Sequence, residues 1–554
     1  MVKLSGRDAF LKLLVDEGVT HLFGNPGTTE LAIMEAVPRT PELKFVLGAY
    51  EGVVVAMADG FARASGRLTA CSLHVAPGLG NAMGALYNAK FSGSPIIVTC
   101  GQQEQGHGLL EPLLYDPLVR IAEPMVKWAV EVSRVEDLPR IIRRAAKVAL
   151  TPPTGPVFIS LPGDVLDAEA ELEFGHPTRV DAATRPSDEA LDRLAERLLA
   201  AKHPALLTGM ELSTRDAFAE AAELASLLGA AVWQEPVPYA ATFPSSHPAY
   251  MGAFTRSQKQ VRAALAPYDL LVCLGADLLR MSVHSLVSPL PETLPVVHLS
   301  ERDWELGKNY PTEVAIRADV KETLRALLPR LREKRAPSHA TAAAGRLAAI
   351  APRNWTAQRD ATRVEALLGA ETVPIDPRYL MLRIAETLPA EAIVVEEALT
   401  SSTTLPVFLE QRDRHGLYGL ASGGLGFGLP GAAGVAFAQP GRPVVAVVGD
   451  GSALYGIQAL WTVAHHRLPV TYVITNNRSY RIIKERLVSF RGSDQFVGMD
   501  FRDPEIDYAK LAQSMGMAAQ RITDPQAFAP ALRAAVASGA PNLIEVMVAD
   551  GFGT

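Results

Sequence analysis

The strongest chemical pattern in the chain is Gly449-Asp450-Gly451-Ser452, followed 27 positions after Asp450 by Asn477 in the pair Asn476-Asn477. Ser452 to His466 reads as a helix and Leu468 to Thr475 as the next strand, so a right-handed βαβ unit sets the two polar ends side by side. One carboxylate, one amide oxygen and a nearby backbone carbonyl suit a small hard cation. Magnesium takes few protein oxygens and completes its octahedron with water and phosphate. The glycines let backbone N–H groups approach an anion, and a helix start at Ser452 favours phosphate. The bland alternative is a tight turn with a capping aspartate. A bare GDG carries little weight; GDGS, the spacing and the asparagine pair together carry much more.

A rival pattern overlaps this region. Gly426-Phe427-Gly428-Leu429-Pro430-Gly431 matches G-x-G-x-x-G, and Asp450 follows at about the distance a dinucleotide fingerprint requires. That fingerprint should follow directly on a strand, whereas the preceding LYGLASGG is glycine-rich and poorly patterned. It also leaves Asn477 without a role.

The elements that must position such residues are short β-branched runs alternating with helical patterns, the signature of parallel-sheet α/β folds. THLFG, FVLGAY, LTACSLH, SPIIVTCG and GPVFISL lie in the first third, PALLTG, AAVWQE, LLVCLGA and PVVHLS in the middle, and AIVVEEA, PVVAVVGDG, PVTYVITNN and NLIEVMV in the last. Ligands bind beyond the carboxyl ends of such strands. Glu51, His74, Glu396, Glu397, Asp450 and Asn476-Asn477 all stand there, although some strand-end polar residues simply cap helices. Pro186-Ser187-Asp188-Glu189 opens the middle segment with a helix cap and an acidic first turn. The expected fold is three doubly wound parallel-sheet α/β domains in series.

Composition narrows the classes further. With 48% hydrophobic and 20% charged residues over 554 positions, disorder is excluded for most of the chain. Fifty-three Lys and Arg against 60 Asp and Glu give a formal charge of −7, which lacks the basic footprint of a nucleic-acid binder. Cys71, Cys100 and Cys273 are widely spaced and odd in number, fitting buried thiols in a reducing compartment. No apolar run reaches the length of a membrane span, and Asp8, Lys12 and Asp16 interrupt the first helical pattern. A cytoplasmic protein without membrane or nucleic-acid partners is expected.

GDGS with this asparagine spacing resembles the thiamin diphosphate motif of the decarboxylase and acetolactate synthase superfamily. FGNPGTTE, YEGVVVAMADGFARASG, GNAMGALYNAKFSGSPIIVTCGQQ, MVKW and ASGGLGFGLP carry the likeness along nearly the whole chain, and it is greatest to the benzoylformate decarboxylases. The resemblance implies a pyrimidine-binding domain at 1–175, a central domain at 186–335, a linker at 336–364 and a diphosphate- and magnesium-binding domain at 365–554. It also implies a homotetramer built from dimers, each cofactor lying between two subunits. Glu51 would bond N1′ of the aminopyrimidine, favouring the imino form whose N4′ removes the C2 proton. Leu425 would be the wedge that bends the cofactor, and Gly423 would offer its carbonyl to N4′. Asp450, Asn477 and the Ser479 carbonyl would hold magnesium. Gly451, Ser452 and Tyr480 would lie against the diphosphate, with Thr400 and Ser401 as further candidates. Ile483 would line the pocket, and Leu113 and Leu114 its mouth.

For substrate chemistry the resemblance assigns His74 to proton handling and places Thr28 where the benzoylformate decarboxylases carry serine. The second family histidine is a departure: Ser282 stands at its place, with His284 two residues on. The difference bears on outcome. An acid that protonates the enamine left by CO₂ releases an aldehyde; without one, the carbanion attacks a second carbonyl. Two readings follow: non-oxidative decarboxylation of an aryl or bulky 2-oxo acid, or C–C carboligation or lysis of the acetolactate synthase or 2-hydroxyacyl-CoA lyase kind. The adjacent histidine pair of pyruvate decarboxylases is missing from GHGLLEPLLYDP, where His107 stands alone.

Overall fold

The computed structural model describes residues 2–552, and these form two compact units. The first comprises the chain to Asp181, Pro389–Ser401 and the chain from Leu420 on. It contains two parallel sheets. In one the strands run in the order Lys44–Leu47, His21–Gly24, Thr69–Leu73, Ile96–Gln102, Val157–Pro162, Ala129–Glu131. In the other they run Ile393–Glu397, Val444–Gly449, Val470–Asn476, Asn542–Met547, Ala518–Ile522. The central strands are buried on both faces, which is why they read as unbroken apolar runs. A short antiparallel pair, Val2–Ser5 with Glu169–Leu172, precedes the first helix, Gly6–Asp16, whose cap is Ser5.

Two helices tie this unit together. Glu51–Ser65 and Gly428–Ala438 cross at very close range because glycines face backbone. A Cβ at Gly60 would overlap the Gly431 carbonyl, and one at Gly434 would overlap the Met57 carbonyl.

The second unit spans Ala182–Leu388 with Ser402–Gly419. Its parallel sheet has the order Tyr250–Ala253, Ala231–Gln234, Pro204–Thr208, Leu270–Leu274, Val296–Ser300, Val314–Arg317. Ser187 caps Asp188–Ala200 through the Ala190 N–H, as the sequence predicts. The stretch 336–364, expected to be a linker, is instead largely helical, with Pro337–Ile350 and Trp355–Leu367. Alanine-rich sequence favours helix, and sparse apolar residues suffice to anchor it. Ala343 packs where Gly229 leaves no room for a side chain, and buried Trp355 donates Nε1–H to the Pro406 carbonyl at 3.0 Å.

All three cysteines are buried and free, and burial pushes their thiols up. Among the described residues no helix is long and apolar enough to cross a membrane.

Candidate active site

Glu51 opens the helix Glu51–Ser65 at the carboxyl end of its sheet, where the helix dipole favours a negative side chain. Its carboxylate is buried and held from both sides: Asn25 Nδ2–H donates to Oε1 at 3.1 Å and Asn81 Nδ2–H to Oε2 at 3.0 Å. Asn25 follows the strand His21–Gly24, and Asn81 sits on the helix Val75–Ser92. One turn before Asn81, Gly78 leaves the carboxylate room; a Cβ there would stand 3.0 Å from Oε1.

The same helix begins at His74. Its Nδ1 lies 2.8 Å from Glu30 Oε2 and 3.2 Å from Thr29 Oγ1. Glu30 is fully buried and also accepts from the Gly27 N–H at 2.8 Å, the Gly101 N–H at 2.9 Å and Thr29 Oγ1–H at 2.8 Å. With Nδ1–H given to this carboxylate, Nε2 is the ring nitrogen left for chemistry. A Cβ at Gly27 would overlap the imidazole, so glycine is required there. Thr28 is exposed, and the hydroxyl that reaches His74 belongs to Thr29.

At the carboxyl end of the other sheet, Gly449 pairs with Thr475 across neighbouring parallel strands, which brings Asp450 and Asn477 to one edge as the βαβ argument requires. Both are buried. Asp450 Oδ1 accepts from the Gly451 N–H at 2.9 Å, while Oδ2 is buried with no hydrogen-bond partner among the described residues. Burial pushes this carboxyl up to about 6 against the pull of surrounding backbone N–H groups. Asn477 Oδ1 accepts from the Ser479 N–H at 2.9 Å and Oγ–H at 3.2 Å. The Tyr480 ring covers Gly451, where a Cβ would come within 2.7 Å of it. Ser452 is buried beside them, whereas Ile483 is 45% exposed on Arg481–Arg491.

The loop bearing Gly423 and Leu425 is fixed by two buried acids. Asn88 Oδ1 accepts from the Ala421 and Ser422 N–H groups and Ser422 Oγ–H, each at 3.1 Å. Asn88 in turn donates to buried Asp59 at 2.7 Å. Glu397 accepts from the Gly426 N–H at 2.7 Å and from the Gly428 N–H, and burial pushes its carboxyl up to about 7. Gly423 and Gly426 adopt positive φ of 86° and 108°, a conformation glycine tolerates. Leu425 between them is half-buried. The G-x-G-x-x-G glycines here serve packing: a Cβ at Gly428 would meet Glu397 and Val448, and one at Gly431 would meet Phe427. Thr400 and buried Ser401 follow the strand Ile393–Glu397.

The N-terminal TPP-binding domain of thiamine pyrophosphate enzymes matches residues 4–111, the central domain of that family 191–327 and the C-terminal TPP-binding domain 403–546. A benzoylformate decarboxylase of Pseudomonas aeruginosa is 33% identical, covering 97% of this chain and 98% of its own. The chain belongs to the thiamine pyrophosphate enzyme family. Within that family, a putative acetolactate synthase large subunit of Mycobacterium tuberculosis is 31% identical over 98% of this chain and 99% of its own. Among solved structures, the 4-hydroxybenzoylformate decarboxylase of Rhodococcus jostii RHA1 superposes with a TM-score of 0.87 at 32% identity, covering 99% of both chains.

The residues present fit a thiamin diphosphate enzyme's cofactor. Asp450 Oδ2 is a buried carboxylate oxygen in need of a cation. Among the described residues no three of His, Cys, Asp and Glu converge on a metal position, so a cation here would draw on amide and carbonyl oxygens. Glu51, clamped by two amides, is a carboxylate held in one orientation. His284 belongs to the second unit, exposed with Ser282 in the irregular stretch between Leu270–Leu274 and Val296–Ser300. Sequence reasoning missed Asn25, Asn81, Glu30, Asn88 and Asp59. A signal existed for Glu30, whose position three residues after Gly27 is capping-box spacing.

Proposed function

We propose that this enzyme is a thiamin diphosphate- and magnesium-dependent 2-oxo acid decarboxylase that converts an aryl or bulky substrate of the benzoylformate kind to an aldehyde and CO₂. When bound, thiamin diphosphate supplies the electron sink for C–C cleavage. Asp450, Asn477 and the Ser479 carbonyl would hold the magnesium, with Gly451, Ser452 and Tyr480 beside the diphosphate. Glu51 would hold the proton that activates the aminopyrimidine, Asn25 and Asn81 fixing its position. Gly423 and Leu425 would shape the cofactor, and Thr28, Thr400, Ser401 and Ile483 complete the candidate set.

The observation that carries decarboxylation is the His74–Glu30 pair. A histidine anchored through Nδ1 by a buried carboxylate keeps Nε2 for proton transfer, and aldehyde release needs a proton delivered to the carbon that lost CO₂, where ligation forms a C–C bond instead. By the family resemblance, the cofactor sites would be shared between two copies in a dimer-built tetramer. Ser282 at the second histidine's place favours the carboligase or lyase reading, as does Thr28.

Turnover with thiamin diphosphate and magnesium on benzoylformate beside pyruvate decides between them. Benzaldehyde and CO₂ are expected from benzoylformate; acetolactate or another coupled product in place of aldehyde would move the enzyme to the ligase branch.

A further inference from the structure

In the second unit, at the amino ends of the strands Pro204–Thr208 and Ala231–Gln234, a cavity of about 910 Å³ opens between the helix Pro337–Ile350 and the last turns of Asp188–Ala200 and Phe218–Leu228. This is the opposite end of the sheet from the carboxyl-end crevice where ligands of such folds bind. Its volume falls at the upper end of the range of small-molecule pockets. Leu199, Leu227, Tyr268 and Ile350 give it apolar walls.

The charge is one-sided. Lys202, His203, His339, Arg346 and Arg353 line the cavity and no carboxylate does. Arg346 is committed to structure: its guanidinium donates to the Leu228 carbonyl at 3.1 Å and to the Lys202 carbonyl at 3.0 Å, closing the end of a helix. Asp269, just outside, is likewise engaged, accepting the Lys202 and His203 N–H groups at 2.7 and 2.8 Å. Lys202 Nζ and the Arg353 guanidinium make neither a hydrogen bond nor an ion pair among the described residues. A largely apolar cavity with two uncommitted cations in its lining is the complement of a molecule with a hydrocarbon body and one acidic end.

We infer that this cavity binds an amphipathic organic anion, an aryl or medium-chain alkyl carboxylate, with its hydrocarbon against the leucines and its carboxylate at Lys202 and Arg353. The site is separate from every residue assigned above to cofactor or substrate.

Isothermal titration of the full-length protein with octanoate tests it. Saturable binding is expected, and octan-1-ol, which keeps the body and loses the charge, binds about tenfold more weakly. Gly345 lines the cavity, and a Cβ added there meets no atom within 4 Å. Gly345→Trp, whose Cβ meets no clash, and Ala342→Trp, on an exposed stretch of the same helix, should obstruct the cavity and abolish its isotherm. Lys202→Gln with Arg353→Gln weakens octanoate about tenfold and leaves octan-1-ol unchanged. Glu51→Gln retains octanoate binding, which separates this site from the catalytic one. Wild-type octanoate affinity in both tryptophan variants, equal affinity for acid and alcohol, or no saturable heat overturns the inference.

Discussion

His74 Nδ1 stands 2.8 Å from Oε2 of Glu30, a carboxylate with no exposed surface and three further donors. The imidazole is thereby fixed in tautomer and orientation from below, and the pair should act as one device. Glu30→Gln is expected to lower kcat roughly 10- to 100-fold, within the contribution of a single acid–base group. In the double variant with His74→Ala the loss should be no greater than for His74→Ala alone, because the carboxylate works through the ring. Steady-state rates of the four proteins give the answer; additive losses would show that Glu30 acts elsewhere.

Glu51 is clamped by Asn25 and Asn81, and the two amide donors fix the orientation of its carboxylate. Glu51→Gln keeps the shape and removes the proton site. Hydrogen–deuterium exchange at C2 of bound thiamin diphosphate should slow by at least about 100-fold while the cofactor stays bound. Asn81→Ala should slow it less, since Asn25 still holds one oxygen. An unchanged exchange rate in Glu51→Gln removes the assigned role.

How much of this was legible follows from how local each feature is. Asp450 and Asn477 could be read because one βαβ unit holds both, and parallel pairing of Val444–Gly449 with Val470–Asn476 does the rest. The clamp on Glu51 could not. Asn25 and Asn81 lie 26 and 30 positions away on opposite sides in sequence, and only the sheet order puts Thr69–Leu73 beside His21–Gly24 and their loops together. Edge strands such as Ala129–Glu131 and Val314–Arg317 escaped notice because three or four half-covered residues make no clear period. The helices at 337–367 were hidden by small, largely exposed side chains whose few anchors, Ala343 and Trp355, lack an apolar stripe.

Among the described residues Asp450 Oδ2 has no partner, and a divalent cation would supply one. Asp450→Ala should weaken manganese binding, followed by electron paramagnetic resonance in the presence of the diphosphate cofactor, by on the order of 10- to 100-fold. The variant should not unfold, since the Asp450 carbonyl keeps its bond from Tyr508 at 2.8 Å. Wild-type manganese affinity would refute the ligand assignment.

Glu235 gives a pH-dependent stability. It is buried at the end of Ala231–Gln234, and burial, reinforced by Asp277, pushes its carboxyl from 4.5 up to about 8. Between these values the folded chain binds a proton the unfolded chain has released, so stability falls as pH rises from about 4.5 through 8. Glu235→Gln cannot lose that proton. Its melting temperature should match the wild type near pH 5 and exceed it by several degrees at pH 9, read by differential scanning fluorimetry. An equal offset at both pH values would mean that titration of Glu235 is not the cause.

The contact between Glu51–Ser65 and Gly428–Ala438 leaves no room for added side chains, and it links the two candidate site regions mechanically. One helix begins with Glu51; the other follows directly on the loop of Gly423 and Leu425. A Cβ at Gly434 would overlap the Met57 carbonyl and stand 2.7 Å from the Phe61 nitrogen, both backbone atoms that cannot swing aside. Gly434→Ala should therefore cost about 1–3 kcal/mol by overpacking, even though alanine is the better helix former. The helices must part to admit the methyl group, so activity should fall together with the urea midpoint. Gly345→Ala is the matched control: its Cβ meets nothing within 4 Å, and the gain in helix propensity should leave the midpoint equal or higher. If Gly434→Ala behaves like Gly345→Ala, the close approach of the two helices is not a requirement of the fold.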